Sequence, residues 1–176
     1  MSGASELAAV IAAERERYPL KAIRQQYGET LQRLAAAYPR LLVLTADLMH
    51  ATGMEQFGRR FADRLINVGI AEQNMTGIAA GLSLAGRPVI VDGYAAFTTL
   101  RALEQAKIDA AYNATKIILT GQSAGLSYGV GGPTHQTYED VAIMRAIPNM
   151  IVLVPADAAE LDLCLESAVP DNGATC

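Results

Sequence analysis

Short apolar runs recur along this chain at residues 41–45, 65–68, 88–91, 116–120 and 150–154, and a stretch of helical composition follows each one. Those helical stretches are residues 54–61, 71–85, 98–112, 138–146 and 158–167. An unbroken apolar run is the mark of a strand buried on both faces. Strands that alternate with helices pair in parallel, with helices covering both sides of the sheet. The pattern therefore predicts an α/β fold of three layers, α/β/α, built on a mainly parallel sheet. A further helix is expected over residues 21–37, where Ile23, Tyr27, Leu31 and Leu34 recur at helical spacing between Pro19 and Pro39. Residues 6–17 are rich in Ala, Glu and Arg. Residues 1–20 are accordingly read as an N-terminal helical arm and 21–176 as the domain. After the turn-like Pro170-Asp171-Asn172-Gly173, residues 174–176 are expected to begin another strand, in a chain that is cut there or completed by another polypeptide.

Composition excludes several classes. At 176 residues with 51% hydrophobic and 18% charged, the chain suits one globular domain with a substantial core. The formal net charge is -4, and the 14 Lys and Arg form no run, so no nucleic-acid partner is expected. Cys164 and Cys176 fit neither a disulfide framework nor a zinc spacing, which favours a reducing cytoplasm. No apolar stretch approaches the ~20 residues of a membrane span. Charges from Glu6 to Arg17 argue against a signal peptide.

The segment richest in chemistry is residues 67–75, NVGIAEQNM. It leaves a strand and opens a helix, at the carboxyl end of a parallel strand where ligands gather. Taken alone, Glu72 there reads more readily as a charge favoured by a helix N-terminus than as a catalytic group. Its company changes that reading. Thr45-Ala46-Asp47-Leu48, the segment around Glu72, Gly132-Pro133-Thr134-His135-Gln136, and residues 146–157 from Ala146 to Asp157 follow one another in order. The ordered set resembles the pyrimidine-binding (Pyr) domain of transketolases and of deoxyxylulose-phosphate synthases. It is most similar to split transketolases, whose diphosphate-binding (PP) domain lies on a separate chain.

The resemblance implies a thiamine diphosphate enzyme that transfers a two-carbon ketol or acyl unit. Glu72 matches the acid that protonates the coenzyme's aminopyrimidine at N1′, the step that lets the coenzyme ionise its own C2. Asp is too short to reach that atom from the same backbone, and Gln has no proton to transfer. Phe97 matches the residue that stacks on the aminopyrimidine, and Tyr94 the second aromatic of that wall. His135 matches a histidine facing substrate hydroxyls. Asp47 and Leu48 match the turn beside the coenzyme, although Asp47 is as well read as a simple cap. His50 has no counterpart that supports a substrate contact. The glycine-rich residues 121–132 lack the spacing of a nucleotide fingerprint and read as a substrate-channel loop.

The chain also departs from the family. Gly131 stands where transketolases commonly carry an acid, and Ala51 where a serine helps to bind sugar phosphate. The phosphate-binding arginine of the family falls beyond residue 176. These differences put a phosphorylated ketose substrate in question. The motif that holds magnesium and diphosphate belongs to the PP domain, so magnesium is expected to bind through a partner chain, in an α2β2 assembly, and no metal ligands are expected here. Rival readings are a deoxyxylulose-phosphate synthase-like subunit, an E1β-like subunit of an oxo-acid dehydrogenase, and a non-catalytic Pyr-domain scaffold.

Overall fold

The computed structural model describes residues 21–169, 174 and 175, together with Ser5 and Ala9. The remainder of the expected arm, with Pro170 to Gly173 and Cys176, lies outside the described residues. Helix α1 (Ile23–Ala37) leads into β1 (Leu42–Thr45), α2 (Glu55–Arg60), β2 (Leu65–Asn67), α3 (Glu72–Leu84) and β3 (Val89–Tyr94). A broad helical segment, α4 (residues 96–112), precedes β4 (Ile117–Gln122), α5 (Asp140–Arg145), β5 (Met150–Ile151), α6 (Ala158–Ala168) and β6 (Ala174–Thr175). The sheet order is β2-β1-β3-β4-β6-β5, and every pair is parallel.

Alternation of side chains along the central strands produces two cores. Leu42, Leu44, Val89, Val91, Ile117 and Leu119 face α3 and α4, where they meet Met75, Ala79, Ala106 and Ala110. Val43, Ile90 and Ile118 point the other way, onto Tyr27, Leu31, Phe57 and Leu165 from α1, α2 and α6. The three-layer α/β/α expectation is met. β1 and β3 are buried throughout, as unbroken apolar runs predict. The outer strands differ. β2 is only half-buried, and β5 stops after Ile151, leaving Val154 exposed, because each lies at an edge with a neighbour on one side only. Ala174–Thr175 is a strand as expected, and it inserts between β4 and β5.

The chain steps from β1 to β2 on one side, then crosses back over β1 to β3 on the other. In such a sheet the crevice outside the carboxyl ends of the two diverging strands is the usual place for a ligand. Thr45, the last residue of β1, is in register with Asp92, two residues before the end of β3.

Candidate functional site

Glu72 is the first residue of α3, after Ala71 has turned the chain. Its side chain is 2% exposed. A carboxylate in the first turn normally answers its own helix's free N–H groups. Here Oε2 accepts instead from Arg101 Nη1 at 2.8 Å, across to α4. The same guanidinium lies over the Phe97 ring, 4.3 Å from its centroid. Phe97 and Arg101 are carried together by π-helical turns over Ala96–Arg101, closed by Ala102 N–H donating to Phe97 O at 3.1 Å. Such wide turns inside helices are frequent at functional sites.

Phe97 continues the cluster. Its ring meets His135 edge-on at 5.2 Å and Tyr94 at 6.0 Å. Tyr128 packs on both Tyr94 (5.1 Å) and His135 (5.3 Å). The loop holding His135 turns at Gly132, whose φ of 62° and ψ of −160° belong to glycine alone. Thr134 Oγ1 lies 2.8 Å from His135 Nδ1, which ties that nitrogen and leaves the other edge of the ring for a ligand. The fold thus brings Glu72, Tyr94, Phe97 and His135 into one chain of contacts, with Arg101 and Tyr128 as members that sequence reasoning passed over. An arginine on a helix reads as a solvated face, and a tyrosine in a glycine-rich loop carries no spacing signal.

Asp47 and Leu48 stand apart from that cluster. Asp47 adopts a left-handed φ of 62° and is tied to the next loop by Asn67. Asn67 Oδ1 accepts from Asp47 N (3.0 Å) and Gly69 N (3.0 Å), while Asn67 Nδ2 donates to Asp47 Oδ1 (3.1 Å). This cross-loop clamp replaces the simple cap considered from sequence. His50 is exposed and faces Glu55 at 3.4 Å.

Beneath these loops lies a second buried carboxyl group that the motifs did not single out. Asp92, on β3, accepts from Thr52 Oγ1 at 2.8 Å and Gln122 Nε2 at 2.9 Å. Burial pushes its pKa up to about 6, against the pull of these hydrogen bonds. A cavity of about 540 Å³ is a separate feature lined by residues such as Tyr27, Ala51, Thr120 and Val154, and by neither Glu72 nor Phe97.

Residues 21–176 match the family described as transketolase, pyrimidine binding domain. The chain belongs to this family. It is 43% identical over 137 residues to a protein of Methanocaldococcus jannaschii described as a transketolase C-terminal section, covering 78% of this chain and 43% of that one. A 1-deoxy-D-xylulose-5-phosphate synthase of Syntrophus aciditrophicus is 37% identical over 145 residues, 82% of this chain and 22% of its own. Among solved structures, a split gene transketolase in an inactive beta4 tetramer superposes with a TM-score of 0.79 at 37% identity, covering 89% of this chain and 50% of that one. The chain spans less than half the length of these curated relatives. No helix among the described residues is long and apolar enough to cross a membrane.

Proposed function

We propose that this chain is the pyrimidine-binding part of a thiamine diphosphate-dependent transferase of transketolase type, and that it works with a PP-domain partner chain. The observation that carries this reading is the buried Glu72 carboxylate, linked through Arg101 to the ring of Phe97, which in turn meets Tyr94. A flat, weakly basic aminopyrimidine needs an aromatic wall and one hydrogen-bonding carboxyl group, and this donor set fits it. When bound, the coenzyme supplies the nucleophilic carbon that takes up the transferred two-carbon unit.

Glu72 holds the ring nitrogen N1′ and delivers its proton there. Phe97 and Tyr94 orient the ring and exclude water from it. His135 hydrogen-bonds substrate hydroxyls, and Asp47 with Leu48 shapes the loop beside the ring. Magnesium and the diphosphate are held by the partner, in an α2β2 assembly. Val130, 95% exposed beside Gly131, and the exposed Ile70 beside Glu72 support a surface that a partner covers. The relative solved as an inactive beta4 tetramer agrees with a chain that is not sufficient alone. The free thiol of Cys164 suits a cytoplasmic setting.

Similarity to a deoxyxylulose-phosphate synthase supports a second reading, in which the donor loses carbon dioxide. Product analysis of the reconstituted complex separates the two. The first test is calorimetry with thiamine diphosphate and magnesium. The chain alone is expected to bind at best weakly, and the complex with a PP-domain chain tightly. Sub-micromolar, magnesium-dependent binding by the chain alone overturns this division of labour.

A further inference from the structure

Arg101 is in contact with both groups that the coenzyme ring is proposed to use. Its guanidinium donates to Glu72 Oε2 at 2.8 Å and lies over the Phe97 ring at 4.3 Å. A guanidinium is planar and rich in N–H donors, so it can stack on an aromatic face while it serves a carboxylate at its edge. An aminopyrimidine hydrogen-bonded to Glu72 and stacked on Phe97 presents the same two features. We propose that Arg101 is a placeholder: it fills the aminopyrimidine position in the free chain and swings out when the coenzyme binds. The inference rests on the functional reading above and adds a step to it.

The surroundings favour such a switch. Glu72 is sealed at 2% exposure, whereas the Arg101 side chain is 46% exposed. A buried carboxylate with no partner is costly, so the free chain gains from a cation at that point. A half-exposed arginine loses little on returning to water, because its head is already partly solvated and its stem stays packed. The pair is therefore asymmetric: the carboxylate is fixed at the start of α3 while the cation is free to leave. Among the described residues, the Glu72 carboxylate has no other side-chain hydrogen bond. The coenzyme then displaces two contacts of one side chain, this hydrogen bond and the guanidinium over Phe97. A ligand that must displace an internal contact binds more weakly by the strength of that contact, and removing the contact restores the lost affinity.

The test uses Arg101→Met, which keeps the stem and removes the guanidinium, alone and combined with Glu72→Gln. In the free chain, Arg101→Met is expected to lower Tm by about 3 °C, and the two substitutions to be coupled in a double-mutant cycle. In the complex with the PP-domain chain, Arg101→Met is expected to tighten thiamine diphosphate binding about tenfold by calorimetry, with no such coupling in the loaded state. Arg101→Lys, which keeps the charge and loses the planar face, is expected to give a smaller gain, and it keeps the test readable if Arg101→Met fails to fold. Unchanged or weaker coenzyme binding by Arg101→Met overturns the proposal, since the guanidinium is then either idle or part of the loaded site. Absence of binding by wild type and variant complexes alike overturns the functional reading itself, and is recognised by the wild-type result.

Discussion

Two carboxyl groups sit near the crevice end of this sheet, Glu72 at 2% exposure and Asp92 at 0%. Their burial is nearly the same and their surroundings are opposite. Glu72 has a charged partner from a half-exposed side chain, reached from another helix. Asp92 has neutral partners, Thr52 and Gln122, both from segments packed around it. Neutral donors do not repay the loss of water around a charge, so burial wins and the Asp92 pKa rises to about 6. The difference teaches that burial alone does not mark a working acid. Glu72 is held by one half-exposed side chain from another helix, whereas Asp92 is locked into the hub that joins the β1–α2 loop, β3 and β4.

The largest expected effect tests this contrast at the level of turnover. In the reconstituted complex, Glu72→Gln keeps shape and one hydrogen bond but loses the transferable proton. Its kcat is expected to fall by about 10²-fold or more, with C2 hydrogen–deuterium exchange of the coenzyme slowed in parallel. Asp92→Asn is expected to keep most turnover. Exchange at the wild-type rate in Glu72→Gln, or an equal loss in both variants, breaks the comparison.

Asp92 is expected to reveal itself in stability instead. Its folded-state pKa lies above the ordinary carboxylate value, so the folded chain binds that proton more tightly than the unfolded chain does. The resulting stabilisation is complete below about pH 4 and is lost as pH rises through about 6. A shift of this size corresponds to about 3 kcal/mol. Urea unfolding of wild type and Asp92→Asn across that window should show the difference between them changing by that amount, to the detriment of wild type at higher pH. A constant difference means that Asp92 titrates normally.

A smaller effect is expected at His135, whose ring packs on Phe97 without touching Glu72 in this structure. His135→Ala should lower kcat/KM by about tenfold, the scale of one lost hydrogen bond, while sparing C2 exchange. If exchange slows as much as turnover does, His135 belongs to coenzyme activation rather than to substrate binding.

Much of the fold was legible because the central strands are apolar on both faces. Leu42, Val43 and Leu44 need helices above and below, and that requirement alone predicts three layers. The edges were less legible: Met150 to Val154 reads as one buried run, but an edge strand has only one neighbour, and the run leaves the sheet after Ile151. In the site, the motifs pointed to Glu72, Tyr94, Phe97 and His135, which the fold gathers. They missed what depends on three-dimensional approach. Arg101 meets Glu72 across 29 positions of sequence, and Asp92 becomes a hub only once Thr52 and Gln122 fold over it.

The smallest effect concerns Gly131, where the family commonly has an acid. A Cβ at this position comes within 2.4 Å of the Tyr128 ring and 2.7 Å of His135 Cβ. Real Cβ atoms do not approach so closely, so any side chain at 131 must displace Tyr128 or push His135 off Phe97. Tyr128 therefore fills the space that an acid's side chain needs, and the glycine is the counterpart of that tyrosine. Forcing extra atoms into a packed contact costs about 1–3 kcal/mol, and a loop that can give lies at the low end. Gly131→Ala should accordingly lower Tm by a few degrees and reduce kcat/KM through the displaced histidine. Adding Tyr128→Ala makes room, so the double variant should recover part of both losses. If Tyr128→Ala leaves the cost of Gly131→Ala unchanged, the tyrosine is not what occupies that space. Glu72 and Asp92 differ in the charge of their partners, whereas the cost of a side chain at Gly131 is set by the volume that Tyr128 and His135 already fill.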